Sequence, residues 1–341
     1  MFSRLIPHLQ GKMKIGTHNG SFHADEVLAC ALLRVLPRFK DAEIVRTRDP
    51  ALLDTCDIVV DVGAVFDAER LRFDHHQKTF THTLNSLDSS YKYSTKLSSA
   101  GLVYFHFGKE IISTLIQTDA KSSDVDGVLV EKLFVKIYEK FIEEVDAIDN
   151  GISTHDTPGR YTINTNFSRR IGAFNPSWNE PGNDIDERFH RAMAVAEAEF
   201  KDKVHYFSRS WWPARKIVAD ALEQRFSAHK SGRALMFLEG GAPWKEHLFE
   251  LELEQGLEGN ILYTIYTDQS GKWRIQCVPQ GPDSFENRLS LPAAWRGVRD
   301  DELAKVSGVE GAIFVHASGF IGGAETKEGI LKMLEISLEQ A

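Results

Sequence analysis

The stretch KIGTHNGSFHADEVLACALLRVLP, residues 14–37, predicts a strand, a loop and a helix in immediate succession. Residues 14–18 form a short strand that runs into a glycine-containing loop. Apolar side chains then recur at the spacing of one helix face: Leu28, Ala31, Leu32 and Val35. Pro37 ends this helix because proline cannot continue the backbone hydrogen bonding. A strand that leads directly into a helix is typical of the βαβ unit from which parallel sheets are built.

Two further strands extend this pattern. Residues 42–46 form one, and Asp57-Ile-Val-Val-Asp61 forms another that is apolar enough to be buried on both faces. Strands that alternate with helices predict a parallel sheet with right-handed crossovers, in which ligands gather at the carboxyl ends of the strands. His18 and Asp61 both stand at the end of a predicted strand, so we expect them at the same edge of the sheet.

A long helix is predicted over residues 128–149, and its phase distinguishes two acids. Its apolar face carries Leu133, Ile137, Phe141 and Val145. Asp149 falls one turn after Val145 on that face, whereas Asp146 is rotated away from it. Asp149 is therefore the favoured inward-pointing acid. Ser98 and Ser99 offer N-caps for another helix, which follows them directly and carries Leu102 on its inner side.

The chain divides into a metal-binding domain (13–151), a connection rich in Asn, Pro, Gly, Ser and Thr (152–182) and a C-terminal domain (183–341). The second half is predicted, in chain order, to contain a helical region at 184–226 that breaks near Trp212-Pro213, a hairpin of strands 261–267 and 272–278, a strand at 312–316, a glycine-rich loop at 317–323 and a last helix at 326–338.

Composition narrows the class of protein. The 341-residue chain carries a net charge of −9, so binding to nucleic acid must be local rather than driven by global attraction. Its three widely spaced cysteines fit a reducing compartment. No apolar run is long enough to span a bilayer. Residues 1–12 are basic and lack acids, which fits a weak mitochondrial presequence or a plain flexible start.

The chemistry is concentrated in the first eighty residues. Seven imidazole and carboxylate side chains lie there: His18, His23, Asp25, Asp61, Asp74, His75 and His76. Such groups suit Mn²⁺, Mg²⁺ or Zn²⁺, and a buried cluster of them needs positive charge to neutralise it. Two divalent ions supply that charge and activate water for attack on phosphate esters. Each motif alone is also compatible with a capping residue or a solvated turn, but their joint occurrence favours a metal site.

The pattern assigns a role to each side chain. His18, His23 and Asp25 are placed as ligands on the strand-to-helix turn, with Asp61 bridging two ions. The remaining roles are His75 or His76 as a further ligand, Asp74 as the group that orients an imidazole, His76 as a donor to phosphate and Asp149 as the last ligand.

A second candidate site lies near the C-terminus. Backbone amides of a glycine loop before a helix can face an anion. The residues concerned are His316, Ser318, Gly319, Gly322 and Gly323, for which the alternative is a turn without a ligand.

Several longer stretches resemble one family of the DHH phosphoesterase superfamily, the melanocyte proliferating gene family, and the resemblance covers nearly the whole chain from Lys14. They are GTHNGSFHADE (16–26), IVRTRDP (44–50), VDVG (60–63), KLSSAG (96–101), VDAIDNG (145–151) and HASGFIGG (316–323). The resemblance implies an α/β, two-lobed DHH phosphoesterase-like fold, with a parallel-sheet N-terminal lobe flanked by helices and a smaller α/β C-terminal lobe. It also implies a metal-dependent 3′-to-5′ exoribonuclease that acts on the 3′ end of single-stranded RNA in the nucleus and mitochondrion.

Carried over residue by residue, the resemblance implies His18, His23, Asp25, Asp61, His75 and Asp149 as ligands. It also implies His76 facing phosphate and Gly319 to Gly323 holding substrate. The superfamily has an acid where this chain has His23, and one residue is inserted. Imidazole shifts the expected metal from Mg²⁺ toward Mn²⁺ or Zn²⁺.

Two other functions remain open from the sequence. The acidic net charge favours a small-molecule phosphohydrolase that acts on pyrophosphate or short oligonucleotides. A non-enzymatic interaction protein would instead use a structural metal whose coordination is closed.

Overall fold

The computed structural model describes residues 12–120, 125–157, 159–180 and 184–340. The targeting segment predicted within residues 1–12 falls almost wholly outside this range. Among the described residues, no helix combines the length and the apolar character needed to cross a membrane. The chain forms two compact units, of which the first ends at Ser208 and the second begins at Arg209.

The first unit is an α/β unit whose strands precede most of its helices. Its elements are β1 (Lys14–Thr17), α1 (Ala24–Val35), β2 (Glu43–Arg46), α2 (Pro50–Leu53), β3 (Ile58–Val60), β4 (Phe66–Asp67), β5 (Arg72–Phe73), α3 (Leu84–Leu87), α4 (Ser99–Ala120), α5 (Gly127–Ile137), α6 (Glu143–Asp149), α7 (Phe167–Gly172) and α8 (Ile185–Tyr206).

The sheet of this unit has the order β2-β1-β3-β5-β4. Strands β2, β1, β3 and β5 are mutually parallel, and β4 is antiparallel to β5 at the edge. The three predicted strands are confirmed, but the sheet is mixed rather than purely parallel. The short turn between β4 and β5 explains the exception, because a hairpin joins neighbouring strands antiparallel.

Helix α1 is the central helix of the first unit. It packs against α4 and α8, and on its predicted apolar face Leu28, Ala31 and Leu32 are buried and Val35 is partly buried. A capping box fixes its start: the backbone N–H of His23 donates to the carboxylate of Glu26, 2.9 Å and 3.0 Å from its two oxygens. The cap matters for function because it brings His23 and Glu26 to the sheet edge where β1 ends.

The division between the two compact units lies further along the chain than the domain boundary predicted at residues 182 and 183. Helix α8 packs against α1 and α4 and belongs to the first unit. Helix α7, within the predicted connection, also packs against α1, and its Phe167 and Ile171 are buried. The predicted connection is polar in overall composition, so these two buried apolar residues were not recognised as part of a packed helix. The boundary between the units instead falls in a π-helical turn, Phe207–Trp211.

The second unit contains α9 (Trp212–Glu223), α10 (Arg225–Ala228), β6 (Ala234–Phe237), α11 (Lys245–Gln255), β7 (Tyr263–Thr267), β8 (Trp273–Cys277), α12 (Asp300–Ser307), β9 (Ala312–Val315), β10 (Ile321–Ala324) and α13 (Lys327–Leu338). Its sheet has the order β6-β7-β8-β10-β9, with only the β6–β7 pair parallel. The predicted hairpin is confirmed as β7 and β8, and the last helix as α13, whose Thr326 caps it by accepting from Gly329 N. With two sheets and flanking helices, the predicted α/β class is confirmed.

Strand β10 corrects one prediction. Gly322 and Gly323 do not lie in a loop between a strand and a helix. They lie in a strand flanked by β8 and β9. Their neighbours leave little space for a side chain: a Cβ on Gly322 would lie 3.1 Å from the Phe314 carbonyl oxygen, and one on Gly323 would lie 3.2 Å from that of Trp273. The glycines therefore serve close packing in a sheet.

Candidate metal centre

The carboxyl ends of three neighbouring parallel strands meet at one edge of the first sheet. His18 follows β1, Asp61 follows β3, and Asp74 begins the Asp-His-His segment after β5. Asp61 adopts the left-handed region with φ of 56°, which aspartate tolerates better than most residues. Strained backbone of this kind clusters at functional sites. The parallel topology thus brings these side chains together, as the strand pattern predicts.

The first group of ligand atoms contains His18, His23, Glu26 and Asp61, all within 4.8 Å of one another. His18 Nε2 lies 2.8 Å from Glu26 Oε1 and 3.4 Å from Asp61 Oδ2. Its Nδ1 is 3.1 Å from the Asn19 carbonyl oxygen, which can accept the Nδ1–H and leave Nε2 free as a ligand.

The second group contains Asp61, Asp74, His75 and His76. Both oxygens of Asp74 are occupied: Oδ2 accepts from Ala64 N at 2.6 Å, and Oδ1 lies 2.7 Å from His76 Nδ1. Asp61 Oδ1 is 3.6 Å from His75 Nδ1 and 3.4 Å from His76 Nδ1. Asp74 therefore orients the His76 ring, while Asp61 stands between the first and second groups.

The third group contains Asp25, His75 and Asp149. His75 Nε2 lies 2.9 Å from Asp149 Oδ2. Asp25 is buried and accepts from the first backbone amides of α4, those of Ser99 and Ala100. The structure thus groups Asp25 with His75 and Asp149 rather than with His18 and His23, its neighbours along the chain.

Asp146 is buried as well, contrary to the expectation that it turns away. Its Oδ1 accepts from Ser98 N at 2.9 Å and from Ser98 Oγ at 2.8 Å, and its Oδ2 accepts from the Tyr138 hydroxyl at 3.2 Å. Two features explain the difference. A π-helical turn at Tyr138–Ile142 changes the helix phase, and α4 covers this side of α6. Asp146 fixes the start of α4, while Asp149 contacts the ligand cluster.

Three residues at this edge were missed by the sequence interpretation. Glu26 is fully buried and contacts His18, although the capping-box spacing from His23 already indicated that it points back toward the turn. Ser99 Oγ lies 3.1 Å from His75 Nδ1 and 3.4 Å from Asp61 Oδ1. Arg48 follows β2 and reaches His18. Nothing in the local sequence distinguishes the last two from ordinary loop and capping residues.

The pKa values of the cluster reflect crowded negative charge. Burial opposes protonation of His18, but hydrogen bonds with Asp61 and Glu26 outweigh it and raise the pKa to about 10. Burial, followed by the charges of Asp61 and Asp149, raises the pKa of Asp25. The His76 pKa is raised, chiefly by its hydrogen bond to Asp74. In each case a bound proton reduces the negative charge of the neighbouring carboxylates. A bound metal cation would reduce the same charge.

The donor set fits divalent metal ions. Five carboxylates and four imidazoles supply the three groups. Buried carboxylates without paired cations are costly, and bound divalent ions remove that cost. Mixed imidazole and carboxylate ligands suit Mn²⁺ and Zn²⁺ better than Mg²⁺. These clusters can therefore hold metal ions.

A cavity of about 730 Å³ opens onto this cluster within the first unit. The polar side chains in its lining are His18, His23, Asp25, Arg48, Asp61, Asp74, His76, Asp149 and Ser168. His76 is 60% exposed, whereas His18 and Asp61 are nearly buried. The cavity thus gives a ligand access to the groups that can hold ions, as a catalytic rather than a closed structural site requires.

Three candidate residues of the second unit, His316, Ser318 and Gly319, lie in the turn that joins β9 to β10. The amides of Ser318 and Gly319 donate to His316, to its Nδ1 and carbonyl oxygen respectively. His316 and Ser318 are exposed, and Gly319 has φ of +73°. The amides of Gly322 and Gly323 belong to a strand with neighbours on both sides, so the prediction that they face an anion does not agree with the fold.

Comparison with known proteins shows the family of the chain. Residues 14–338 match the family model MYG1_exonuc, described as "Uncharacterised protein family (UPF0160)". The MYG1 exonuclease of Bos taurus is 51% identical over 98% of this chain and 86% of the bovine one, and that of Homo sapiens is 51% identical over 97% and 87%. A MYG1 protein of Saccharomyces cerevisiae is 44% identical over 97% of both chains. The resemblance inferred from the motifs is confirmed, and the chain belongs to the MYG1_exonuc family.

Proposed function

We propose that this chain is a divalent-metal-dependent phosphodiesterase that removes nucleotides from the 3′ end of RNA. The observation that carries the proposal is the set of three ligand groups, linked through Asp61 and His75, that borders an open cavity. The name exonuclease, which the mammalian relatives carry, supports the reaction class. The RNA substrate, the 3′-to-5′ direction and the preference for Mn²⁺ follow from the family resemblance of the motifs.

The ligand groups would hold two ions. His18, Glu26 and Asp61, with His23, fit the first, and His75, Asp149 and Asp25 fit the second. Two bound divalent ions polarise a phosphoryl oxygen and lower the pKa of a bound water molecule to near neutrality. Asp61 would contribute to holding both ions, since its Oδ2 lies 3.4 Å from His18 Nε2 and its Oδ1 lies 3.6 Å from His75 Nδ1.

The protein's own groups would handle the substrate. His76 lines the cavity, and its Nδ1 is bound to Asp74, so the ring is held in one orientation. The Asp74 hydrogen bond raises the pKa of His76, which favours the protonated ring as a donor to a phosphate oxygen. Ser99 and the first amides of α4 would keep His75 and Asp25 in place.

The substrate is tested with a panel of single-stranded 20-mers. RNA labelled at its 5′ end should shorten stepwise in the presence of Mn²⁺, with nucleoside 5′-monophosphates released. The same RNA blocked by a 3′-terminal phosphate and a DNA of the same sequence should react more slowly. Shortening of 3′-labelled RNA from its 5′ end, or DNA cleaved as fast as RNA, would contradict the proposed direction or substrate.

A small-molecule phosphohydrolase is the second candidate. The net charge of −9 favours it, and Arg48 is the sole lysine or arginine among the described residues that line the cavity. Rates on pyrophosphate, on a dinucleotide and on the 20-mer decide between the two. Faster turnover of pyrophosphate or the dinucleotide would replace the RNA exonuclease assignment.

A further inference from the structure

Arg48 stands where the fourth parallel strand of the first sheet ends. Strands β1, β3 and β5 deliver the ligand groups to this edge, and β2, the neighbour of β1, delivers Arg48. Its backbone is fixed on both sides: Thr47 N donates to Thr17 O at 2.7 Å, and Asp49 caps α2 by accepting from Ala51 N. The side chain is exposed and lines the cavity.

The guanidinium of Arg48 is held beside the first ligand group. One NH₂ group donates to the carbonyl and to the side-chain oxygen of Asn19, the latter at 2.7 Å. The other approaches His18 Nδ1 at 3.4 Å. Arg48 makes no ion pair with a carboxylate in the part of the chain that the structure describes. Its positive charge is thus oriented but not neutralised.

The neighbouring Arg46 shows what a structural arginine looks like in the same strand. Arg46 pairs with Asp186 at 2.8 Å, donates to Gly20 O and lies 4.6 Å from the ring centre of Phe189. Its side chain is nearly buried, and its charge is used within the fold. Arg48 has none of these contacts, so packing does not explain its position at the cavity.

We propose that Arg48 binds a phosphate oxygen of the nucleotide that occupies the cavity. Guanidinium groups bind phosphate through two parallel N–H donors, and an arginine beside bound ions stabilises charge that develops during phosphoryl transfer. The ligand class, a nucleotide phosphate, rests on the function proposed above. The position of an unpaired cation among acidic ligand groups is independent of that function.

The test measures binding rather than turnover. Isothermal titration of the full chain, loaded with Mn²⁺, compares adenosine 5′-monophosphate with adenosine, which lacks the phosphate. Arg48→Gln should weaken binding of the monophosphate by about 10- to 100-fold, the range for a lost hydrogen bond to a charged group, and leave adenosine binding unchanged. The matched control is Arg70→Gln, another exposed arginine, in the β4–β5 turn, that does not line the cavity. It should bind both ligands as the wild type does.

Three results would overturn the inference. They are equal affinity of Arg48→Gln and wild type for the monophosphate, an equal loss for monophosphate and adenosine, and wild-type protein that does not prefer the monophosphate. Failure of the proposed function looks different: RNA would not be shortened, yet the monophosphate would still bind through Arg48. Unfolding temperatures of both variants should match the wild type, because the Arg48 side chain is exposed and hydrogen-bonds mainly to the exposed Asn19, with one longer contact to His18.

Discussion

Buried charge is handled in opposite ways in the two units. In the second unit, the buried carboxylate of Glu252 is matched by Arg288, whose two terminal nitrogens lie 2.8 Å and 2.7 Å from its oxygens. Arg288 also donates to Ile261 O, so the pair is closed and fully satisfied. In the first unit, Asp25, Glu26 and Asp61 are equally buried, but they face imidazoles and one another.

The comparison separates stability from function. A closed ion pair such as Glu252–Arg288 has no need of any other partner, and breaking it leaves a bare buried charge. A cluster with surplus carboxylates is destabilising by itself and becomes favourable when it binds cations. We therefore expect substitutions in the first cluster to change chemistry and metal binding, and substitutions in the pair to change the free energy of unfolding.

The largest effect is expected at Asp61. Asp61→Asn keeps the side-chain size and tolerates the left-handed backbone, but it removes the charge shared by two ligand groups. Phosphodiester hydrolysis should fall by about 10⁴-fold, since two-ion stabilisation supplies several kcal/mol of the barrier reduction. The free energy of unfolding of the metal-free protein should change little, because relief of the repulsion with Asp25 offsets the lost interaction with His18.

Steady-state rates and urea unfolding measure the two quantities. Asp54→Asn, an exposed acid at the end of α2, is the matched control and should leave both unchanged. An Asp61→Asn variant that hydrolyses RNA at the wild-type rate would remove Asp61 from the proposed centre.

Glu252→Gln should act on stability alone. It leaves Arg288, which is 8% exposed, without its counter-charge, so the free energy of unfolding should fall by about 3 to 5 kcal/mol. Glu254→Gln disrupts only an exposed pair with Arg215 and should cost less than about 1 kcal/mol. Urea unfolding of both variants checks this, and equal losses would show that the buried pair is no more important than the surface pair.

The third prediction follows from the placement of Asp25 and Glu26 in different ligand groups. Removing the charge of either residue should lower the affinity of one metal site by about 10- to 100-fold. Glu26→Gln should weaken one Mn²⁺ site, that of His18 and Asp61, whereas Asp25→Asn should weaken the other, that of His75 and Asp149. Isothermal titration with Mn²⁺ resolves the two sites, and Glu43→Gln, an exposed acid at the start of β2, is the control. Glu26→Gln protein that binds both ions with wild-type affinity would exclude Glu26 as a ligand.

The sequence predicted the parts of the site that depend on strand ends. A short apolar run followed by a polar side chain sets position in a parallel sheet, so the convergence of His18, Asp61 and the Asp-His-His segment was expected. The sequence groups Asp25 with His18 and His23, whereas in the structure it accepts from the amides of Ser99 and Ala100, more than seventy residues away. Only helix packing, which the sequence does not encode locally, decides that contact.

The second unit shows the complementary failure. Gly322 and Gly323 look like a loop because glycine disfavours strands, yet here backbone carbonyl oxygens of the neighbouring strands lie so close that a larger residue would be crowded. In the same region, the β7–β8 hairpin was predicted well because alternating side chains flank a turn with Gly271. Local patterns therefore predict hairpins and caps. They do not predict a glycine that is required because a distant segment of the chain packs against it.

The smallest effect concerns His106, a partly buried imidazole of the first unit that has no carboxylate partner among the residues the structure describes. Its ring packs against Phe66, Phe73 and Phe105, and its Nε2 has no hydrogen-bond partner. Burial lowers the pKa of His106 to about 4, whereas carboxylates raise that of His18 to about 10. Within one unit, His106 thus shows the effect of burial alone on the pKa of an imidazole, and His18 shows the effect of burial together with neighbouring carboxylates.

The sign of the pH effect follows from the lowered value. Between the unfolded pKa of about 6.5 and the folded one, the unfolded chain binds more protons, so stability is complete above this window and is lost as the pH falls through it. Through His106, the free energy of unfolding should fall by about 2 kcal/mol when the pH is lowered from 7 to 5. His106→Phe removes this component, while other titrating groups contribute equally to both proteins and cancel. Urea unfolding of metal-free wild type and variant at both pH values measures the difference, and parallel pH profiles would show that His106 is solvated in the native state.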